Sequence, residues 1–227
     1  MSDPRISPRI IAISGTSGAG KNTLADKIAE RMPGSGRIDF DSYIDEWISL
    51  PLPEWVEAGA HPSQKWQTPQ LASDLNNLRK GQAITLPKQG GRLELAPYIF
   101  LTEPYGRSRH DVAPYIDFVA GIYLPLEVAL SRRLLRDKEW ILHPSFNPGK
   151  SAEEHLERLQ NYLSGYLSQW NEDPNLRCLY NSLNDCAKNN SNLVLDGLKK
   201  PDDLADGLEQ AIRNRFDDIP DCGVCTS

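Results

Sequence analysis

A glycine-rich heptapeptide near the start of the chain constrains the fold more than any other feature. Residues 15–21 read Gly-Thr-Ser-Gly-Ala-Gly-Lys, which matches the pattern G-x-x-x-x-G-K. An apolar, β-branched run at 9–14 precedes it, and the segment KNTLADKIAER at 21–31 places its apolar residues on one helical face. The order strand, glycine loop, helix is typical of a phosphate-binding loop, in which backbone amides and a helix N-terminus surround an anion.

Short apolar strands alternate with amphipathic helices along the rest of the chain. Strands are predicted at 37–40, 98–102, 118–124 and 193–196, and helices at 69–80, 126–136, 152–170 and 201–216, while the Asn-rich segment 171–191 is ambiguous. This alternation predicts an α/β fold with a parallel sheet between two layers of helices, the three-layer arrangement of P-loop NTPases. Ligands in such sheets bind beyond the carboxyl ends of the strands, where Gly15, Asp41, Glu103 and Asp196 fall.

One domain at 1–217 accounts for this pattern. Within it, segment 43–97 holds six prolines and three tryptophans (Trp47, Trp55 and Trp66), which indicates an inserted cap or substrate region. Segment 137–150 is predicted to be a lid in loop conformation, and 218–227 a flexible tail. The tail carries one Cys-x-x-Cys, Cys222 and Cys225, too few ligands for a closed zinc site.

The bulk composition argues against several function classes. Lys and Arg number 25 against 31 for Asp and Glu, and the resulting net charge of −6 does not suit a broad nucleic-acid or anionic-membrane surface. No apolar run approaches the roughly 20 residues that a membrane-spanning helix needs, and the polar start has no signal-peptide core. The sequence therefore predicts a cytoplasmic protein that acts on a small molecule.

The glycine loop supplies the candidate contacts to a nucleotide. They are Gly15, Thr16, Ser17, Gly18, Ala19, Gly20, Lys21, Asn22 and Thr23. Lys21 can reach the β- and γ-phosphates of ATP. The pattern asks for Ser or Thr after the lysine to bind Mg²⁺, whereas this chain has Asn22 there and a hydroxyl only at Thr23. An asparagine carbonyl can bind a hard cation, so Asn22 is a candidate metal ligand, and the alternative is that it inactivates the site.

Two carboxylates come at the ends of predicted strands. Asp41 can orient or deprotonate an attacking hydroxyl and can bind Mg²⁺, while the nearby Asp39 is better explained as capping a turn. Glu103 ends the strand at 98–102, a position that suits support of a metal or an acceptor, and the alternative is a solvated residue at the strand end. Tyr43 can stack on a substrate ring, and the favoured alternative is that it packs within the cap.

A cluster of arginines is the third candidate group. Arg132, Arg133 and Arg136 share one predicted helix, with Arg132 and Arg136 on the same face. Guanidinium groups bind phosphate oxygens and offset charge that develops in phosphoryl transfer, which predicts catalytic roles for Arg132 and Arg136 and an ATP contact for Arg133. The alternative is a solvated helix face. Arg107 and Arg109 are candidates for holding an acceptor.

Together these motifs resemble the uridine kinase and phosphoribulokinase group of P-loop kinases, which includes nicotinamide riboside kinases. The matching segments are IAISGTSGAGKNTLADKIA (11–29), DFDSY (39–43), TPQLASDLNNLRKGQAITLP (68–87), YIFLTEP (98–104), YIDFVAGIYLPLEVALSRRLLRD (115–137) and NLVLDG (192–197). The resemblance implies that the loop binds ATP, that Asp41 faces the acceptor hydroxyl, that Glu103 is the acidic residue after the third strand, and that the three arginines begin a lid. After Asp137 many uridine kinases continue with an arginine-rich stretch, whereas this chain has Lys-Glu-Trp-Ile-Leu-His.

The function expected from these features is transfer of the γ-phosphoryl group of Mg²⁺-bound ATP to a hydroxyl of a nucleoside-like or other small polar metabolite. One alternative is a nucleotide-binding regulatory or pseudokinase module with little turnover, motivated by Asn22. Another is a P-loop NTPase that transfers the phosphoryl group to water and releases ADP without any acceptor.

Overall fold

A five-stranded parallel sheet forms the centre of the computed structural model, which describes residues 7–46, 63, 67–88, 91–143, 145 and 148–216. Its strands are β1 (Arg9–Ser14), β2 (Gly36–Asp39), β5 (Tyr98–Thr102), β6 (Phe118–Tyr123) and β7 (Leu193–Asp196). They pair in the order β2-β5-β1-β6-β7, and every pairing is parallel. The short strands β3 (Ile84–Thr85) and β4 (Arg92–Leu93) pair separately and antiparallel.

Helices follow the strands and cover the sheet. They are α1 (Lys21–Arg31), α2 (Pro69–Arg79), α3 (Leu126–Leu142), α4 (Ala152–Glu172), α5 (Pro174–Asn189) and α6 (Pro201–Phe216). Short 3-10 helices lie at Phe40–Glu46, Gly106–Ser108 and Ala113–Tyr115. Local sequence explains several helix starts: Ser151 and Glu154 form a capping box before α4, and Asp173 accepts a hydrogen bond from the Asn175 amide before α5.

The two faces of the sheet are buried in two separate apolar clusters. Ile11 and Ile13 of β1 pack in the cluster that includes α1 and α6, whereas Ile10 and Ala12 pack in the cluster that includes α2. This alternation follows from the period of two in a strand that is covered on both sides. The α/β fold with helices on both faces of a parallel sheet is confirmed.

One expectation about the later segments needs correction, and one segment that was ambiguous is assigned. Residues 137–142, which were expected to be loop, continue α3, and the ambiguous segment 171–191 is mostly the helix α5. The tryptophans Trp47, Trp55 and Trp66 and the pair Cys222 and Cys225 lie outside the described residues. Within the described ranges, no helix is both long enough and apolar enough to cross a bilayer.

Candidate functional site

The glycine loop emerges from β1, the middle strand of the sheet, and leads directly into α1. Gly15, Gly18 and Gly20 all have positive φ values, of 139°, 86° and 98°. A Cβ atom on Gly18 would lie 2.3 Å from the backbone oxygen of Ala129 in α3, and one on Gly15 would lie 2.7 Å from the oxygen of Ile122. The loop conformation and its close packing therefore require glycine at both of these positions.

The N-terminus of α1 is available for an anion. No side chain caps this helix, and its first turn contains no acidic residue. The Lys21 ammonium donates hydrogen bonds to the backbone oxygens of Gly15 (2.9 Å) and Thr16 (3.1 Å), so it lies folded over the loop. First-turn amides, the positive end of the helix and a lysine thus converge on one spot, which is the arrangement that binds phosphate.

The environment of Lys21 weakens its hold on its proton. Although part of the side chain reaches the cavity surface, protein atoms surround the ammonium, and this desolvation lowers the pKa of Lys21 from 10.5 to about 8. The negative charges of Asp41 and Glu103 oppose the shift, and Arg136 adds to it. Lys21 is therefore mainly charged at pH 7, and it loses its charge as the pH rises through about 8.

One cavity of about 710 Å³ brings many of the predicted residues together. Those that line it are Ser17, Gly18, Ala19, Gly20, Lys21, Asn22, Thr23, Asp41, Arg132 and Arg136. Asp41 lies exposed on the 3-10 helix that follows β2. By contrast, Asp39 accepts hydrogen bonds from Arg37 and from the Thr102 hydroxyl (3.1 Å), so it joins neighbouring side chains and does not cap a turn as expected.

The two cavity-lining arginines are held by different partners. Arg132 donates from Nη1 to the backbone oxygen of Gly197 at 2.9 Å, which ties α3 to the loop after β7. Arg136 pairs with Asp137, with Nη2 2.8 Å from Oδ1. The pKa of Asp137 is lowered because hydrogen bonds from Tyr162 and Arg136 outweigh its desolvation. Both arginines nevertheless present surface to the cavity that contains the glycine loop.

Several predicted contacts lie elsewhere. Tyr43 is 1% exposed, and its hydroxyl donates to Asp74 at 2.9 Å, so it is a core residue and not a stacking platform. Arg107 donates to the backbone oxygens of Ile116 and Asp117. These two residues immediately precede β6, so Arg107 is bound at the amino end of that strand and not at the carboxyl ends where the cavity lies. These corrections have one cause, namely that spacing along the chain does not specify which way a side chain points.

Arg133 also does not line the cavity. Its guanidinium lies 4.8 Å from the ring centre of Tyr166 and 5.9 Å from that of Tyr180, and it donates to the Tyr180 hydroxyl. It also forms an ion pair with Asp137 at 3.5 Å. Arg133 therefore joins α3 to α4 and α5 instead of facing the nucleotide loop.

Glu103 and Arg109 are fully buried and paired with each other behind the cavity, at a distance of 3.4 Å. Burial raises the pKa of Glu103 to about 7, while Arg109 and the Tyr105 amide act in the opposite direction. Neither side chain lines the cavity, so Glu103 is not positioned as a direct metal or acceptor contact, nor Arg109 as an acceptor contact.

Oxygen donors suited to Mg²⁺ do line the cavity. They are the Asn22 amide, the Thr23 hydroxyl and the Asp41 carboxylate, which are the hard ligands that this ion prefers. No group of three or more His, Cys, Asp or Glu side chains within the described ranges could hold a metal ion. A Mg²⁺ ion that enters with a nucleotide takes most of its ligands from phosphate and water, and the donors present fit that mode.

Sequence reasoning missed one wall of the cavity, which α5 provides. Leu179, Tyr180 and Leu183 line the cavity there, and Tyr105 from the segment after β5 packs against Leu179 and Leu183. The spacing i, i+4, i+7 of Leu179, Leu183 and Cys186 is a helical signal within the Asn-rich segment, and it could have identified this face.

Sequence comparison identifies relatives with one activity in common. The chain is 32% identical over 133 residues to a uridine kinase of Chloroflexus aggregans, a match that covers 57% of this chain and 59% of that protein. It is also 28% identical over 159 residues to the uridine kinase of Aeromonas salmonicida, covering 60% of this chain and 72% of the relative. The chain is similar to uridine kinases. The match spans about three fifths of the length of the Chloroflexus relative, and no family model matches.

Comparison with solved structures gives more distant similarities. The shikimate kinase of Aquifex aeolicus superposes with a TM-score of 0.45 at 12% identity, covering 91% of this chain and 97% of that one. The shikimate kinase of Acinetobacter baumannii, solved in complex with shikimate, has a TM-score of 0.42 at 18% identity and covers 93% of this chain and 96% of that one. Similarities at this level support no inference about acceptor or mechanism.

Proposed function

We propose that the chain is an ATP-dependent kinase that transfers a phosphoryl group to a hydroxyl of a nucleoside-like or other small polar molecule. The observation that carries this proposal is that the glycine loop, Asp41, Arg132 and Arg136 line the same cavity. Phosphoryl transfer needs a phosphate cradle, a group that orients the nucleophile, and cations that offset developing charge. The similarity to uridine kinases supports the same reaction and a nucleoside-like acceptor.

Each group has a task that follows from its chemistry. The amides at the start of α1 and the Lys21 ammonium hold the β- and γ-phosphates of ATP. Arg136, whose charge acts on Lys21, approaches the same phosphates once it exchanges Asp137 for a phosphate oxygen. Asn22, Thr23 and Asp41 would hold Mg²⁺, which neutralises negative charge on the phosphate oxygens when it is bound.

The acceptor would occupy the part of the cavity between the end of β5 and α5. Asp41 accepts a hydrogen bond from the acceptor hydroxyl, which aims its oxygen at the γ-phosphorus and takes up the proton as the new bond forms. The side chains that would exclude water from this space are the cavity-lining Phe40, Pro104, Tyr105, Leu179 and Leu183. Exclusion of water favours transfer to the acceptor over hydrolysis.

The test is ADP release from Mg²⁺ and ATP across a panel of nucleosides, sugars, vitamins and hydroxy acids. We expect release that depends on a nucleoside-like acceptor and that disappears in Lys21→Ala. ADP release of equal rate with and without acceptors would instead identify an NTPase. If no acceptor gave ADP release while ATP binding was still measurable by calorimetry, an active kinase would be ruled out.

The regulatory alternative rests on one specific observation. Asn22 is exposed at the cavity, at the position where the loop pattern requires a hydroxyl. We expect Asn22→Thr to give no gain in acceptor-dependent turnover, because the Thr23 hydroxyl and Asp41 already face the cavity. A gain of roughly tenfold or more, equal to about 1.4 kcal/mol of transition-state stabilisation, would show that Asn22 impairs the site and would favour the regulatory module.

A further inference from the structure

Arg109 is the largest side chain that the structure buries completely, with 0% exposure. A guanidinium keeps its charge at every physiological pH, so burying it is costly unless every side of the group is paired. Its neighbours are therefore expected to be specific. One of them is the ring of Phe40, whose centre lies 5.0 Å from the guanidinium carbon.

One side of the guanidinium holds the beginning of α2. Nη2 and Nε donate to the two carboxylate oxygens of Asp111, at 2.8 and 3.3 Å, and Nη2 also donates to the Thr68 hydroxyl. The same carboxylate accepts a hydrogen bond from the Thr68 amide at 3.0 Å. Arg109, Asp111 and Thr68 thus form a closed network at the residue that precedes α2.

The other side of the guanidinium faces Glu103. Nη1 of Arg109 and Oε2 of Glu103 are 3.4 Å apart, and within the described part of the chain neither atom has a hydrogen-bond partner. The second oxygen of Glu103 accepts a hydrogen bond from the Tyr105 amide at 3.2 Å. Glu103 acts electrostatically on Lys21, so the cation that orients Glu103 also influences the phosphate loop.

These contacts connect the buried arginine to the phosphate loop and to the carboxylate that is proposed to orient the acceptor hydroxyl. We propose that Arg109 is a positioning residue, an inference that rests on the proposed kinase function. Arg109 orients Glu103 behind Lys21 and supports Phe40, whose neighbour Asp41 faces the cavity. Arg109 itself contacts neither nucleotide nor acceptor. It acts through Glu103 on the lysine of the phosphate loop and through Phe40 on the carboxylate that aims the hydroxyl.

The test compares Arg109→Lys with Arg107→Lys in the full chain. Both arginines belong to one short segment and bond several neighbours, but the hydrogen bonds of Arg107 go to Ile116, Asn192 and Asp117. Lysine keeps the charge yet cannot reach Asp111, Thr68 and Glu103 at once. We expect both variants to lower Tm, and only Arg109→Lys to lower kcat, by about tenfold or more, with KM for ATP within about twofold. Unchanged kcat in Arg109→Lys, at a Tm loss equal to that of Arg107→Lys, would overturn the proposal.

A double-mutant cycle tests whether the effect passes through Glu103. Arg109→Met should lower kcat strongly in the wild-type background and far less in a Glu103→Gln background, while the double variant should regain part of the lost stability, because the fully buried Glu103 charge is gone and only the partly exposed Asp111 lacks its counter-ion. Additive losses would refute action through Glu103. The outcomes also separate the two proposals: a wild type without acceptor-dependent turnover refutes the kinase function, whereas an active wild type with unaffected Arg109 variants refutes only the role of Arg109.

Discussion

At the scale of single residues, Lys21 shows how burial changes the pKa of the lysine in a phosphate-binding loop. Desolvation lowers its pKa to about 8, while the negative charges of Asp41 and Glu103 limit the fall. The ammonium is therefore charged at pH 7 but only partly hydrated, and phosphate oxygens replace little water when they bind it. A fully solvated lysine would lose more hydration for the same contact.

This environment predicts a pH dependence of nucleotide binding. Lys21 carries its charge below pH 8 and loses it as the pH rises further, so the affinity for ATP should fall by up to about tenfold per pH unit above 8. Calorimetry with metal ions chelated measures this directly. Lys21→Arg, which keeps its charge throughout, should bind with a nearly flat profile from pH 7.5 to about 9.5. If the ATP affinity of the two proteins fell equally with pH, the pH dependence could not be assigned to Lys21.

At the scale of elements, the glycine loop is fastened to α3 as well as to the sheet. The Gly18 backbone lies so close to Ala129 that a methyl group would not fit, and the Gly15 amide donates to the backbone oxygen of Pro104 at 3.2 Å. The helix that carries Arg132 and Arg136 is thereby held at a set distance from the phosphate loop.

Alanine substitutions at two glycines test this attachment. Gly18 and Gly20 both have positive φ, so Gly20→Ala should cost about 1 kcal/mol of unfolding free energy from backbone strain alone. Gly18→Ala adds a collision with the Ala129 oxygen and should cost about 3 kcal/mol. Urea unfolding of the ligand-free proteins gives both values, and equal losses would mean that the contact with α3 does not constrain the loop.

What could be predicted from the sequence differs between local and tertiary features. The glycine loop, α1 and β1 were predicted closely because glycine pattern, apolar run and helical face lie within one short segment. The position of Asp41 at the cavity followed from its place after a strand. The orientations of Tyr43 and Arg133 could not be predicted, since partners 31 and 47 residues away, Asp74 and Tyr180, determine them.

At the scale of the whole molecule, α5 packs on the sheet at one glycine. A Cβ atom on Gly121 of β6 would lie 2.0 Å from the backbone oxygen of Ala187. This close approach sets how near α5 comes to the strand, and Leu179 and Leu183 of α5 form a wall of the cavity. The volume of the cavity therefore depends on a contact made outside it.

Gly121→Ala should consequently affect both stability and acceptor binding. Displacement of α5 is expected to cost about 3 kcal/mol and to raise KM for the acceptor more than KM for ATP. Gly165→Ala is the control, because Gly165 lies in α4 with open space around its Cβ position and should gain roughly 0.5–1 kcal/mol from helix propensity. If Gly121→Ala changed KM equally for the acceptor and for ATP, the result would show that α5 does not shape the acceptor site.

The placement of β1 between β5 and β6 has a consequence for how such a protein can diversify. In the proposed kinase, the phosphate-binding end of the cavity is built on the central strand of the sheet, where we expect little variation to be tolerated. The proposed acceptor end is lined by α5, a helix that packs on β6, next to the edge strand β7. We therefore expect substitutions in α5 to change acceptor preference without altering the contacts to the triphosphate.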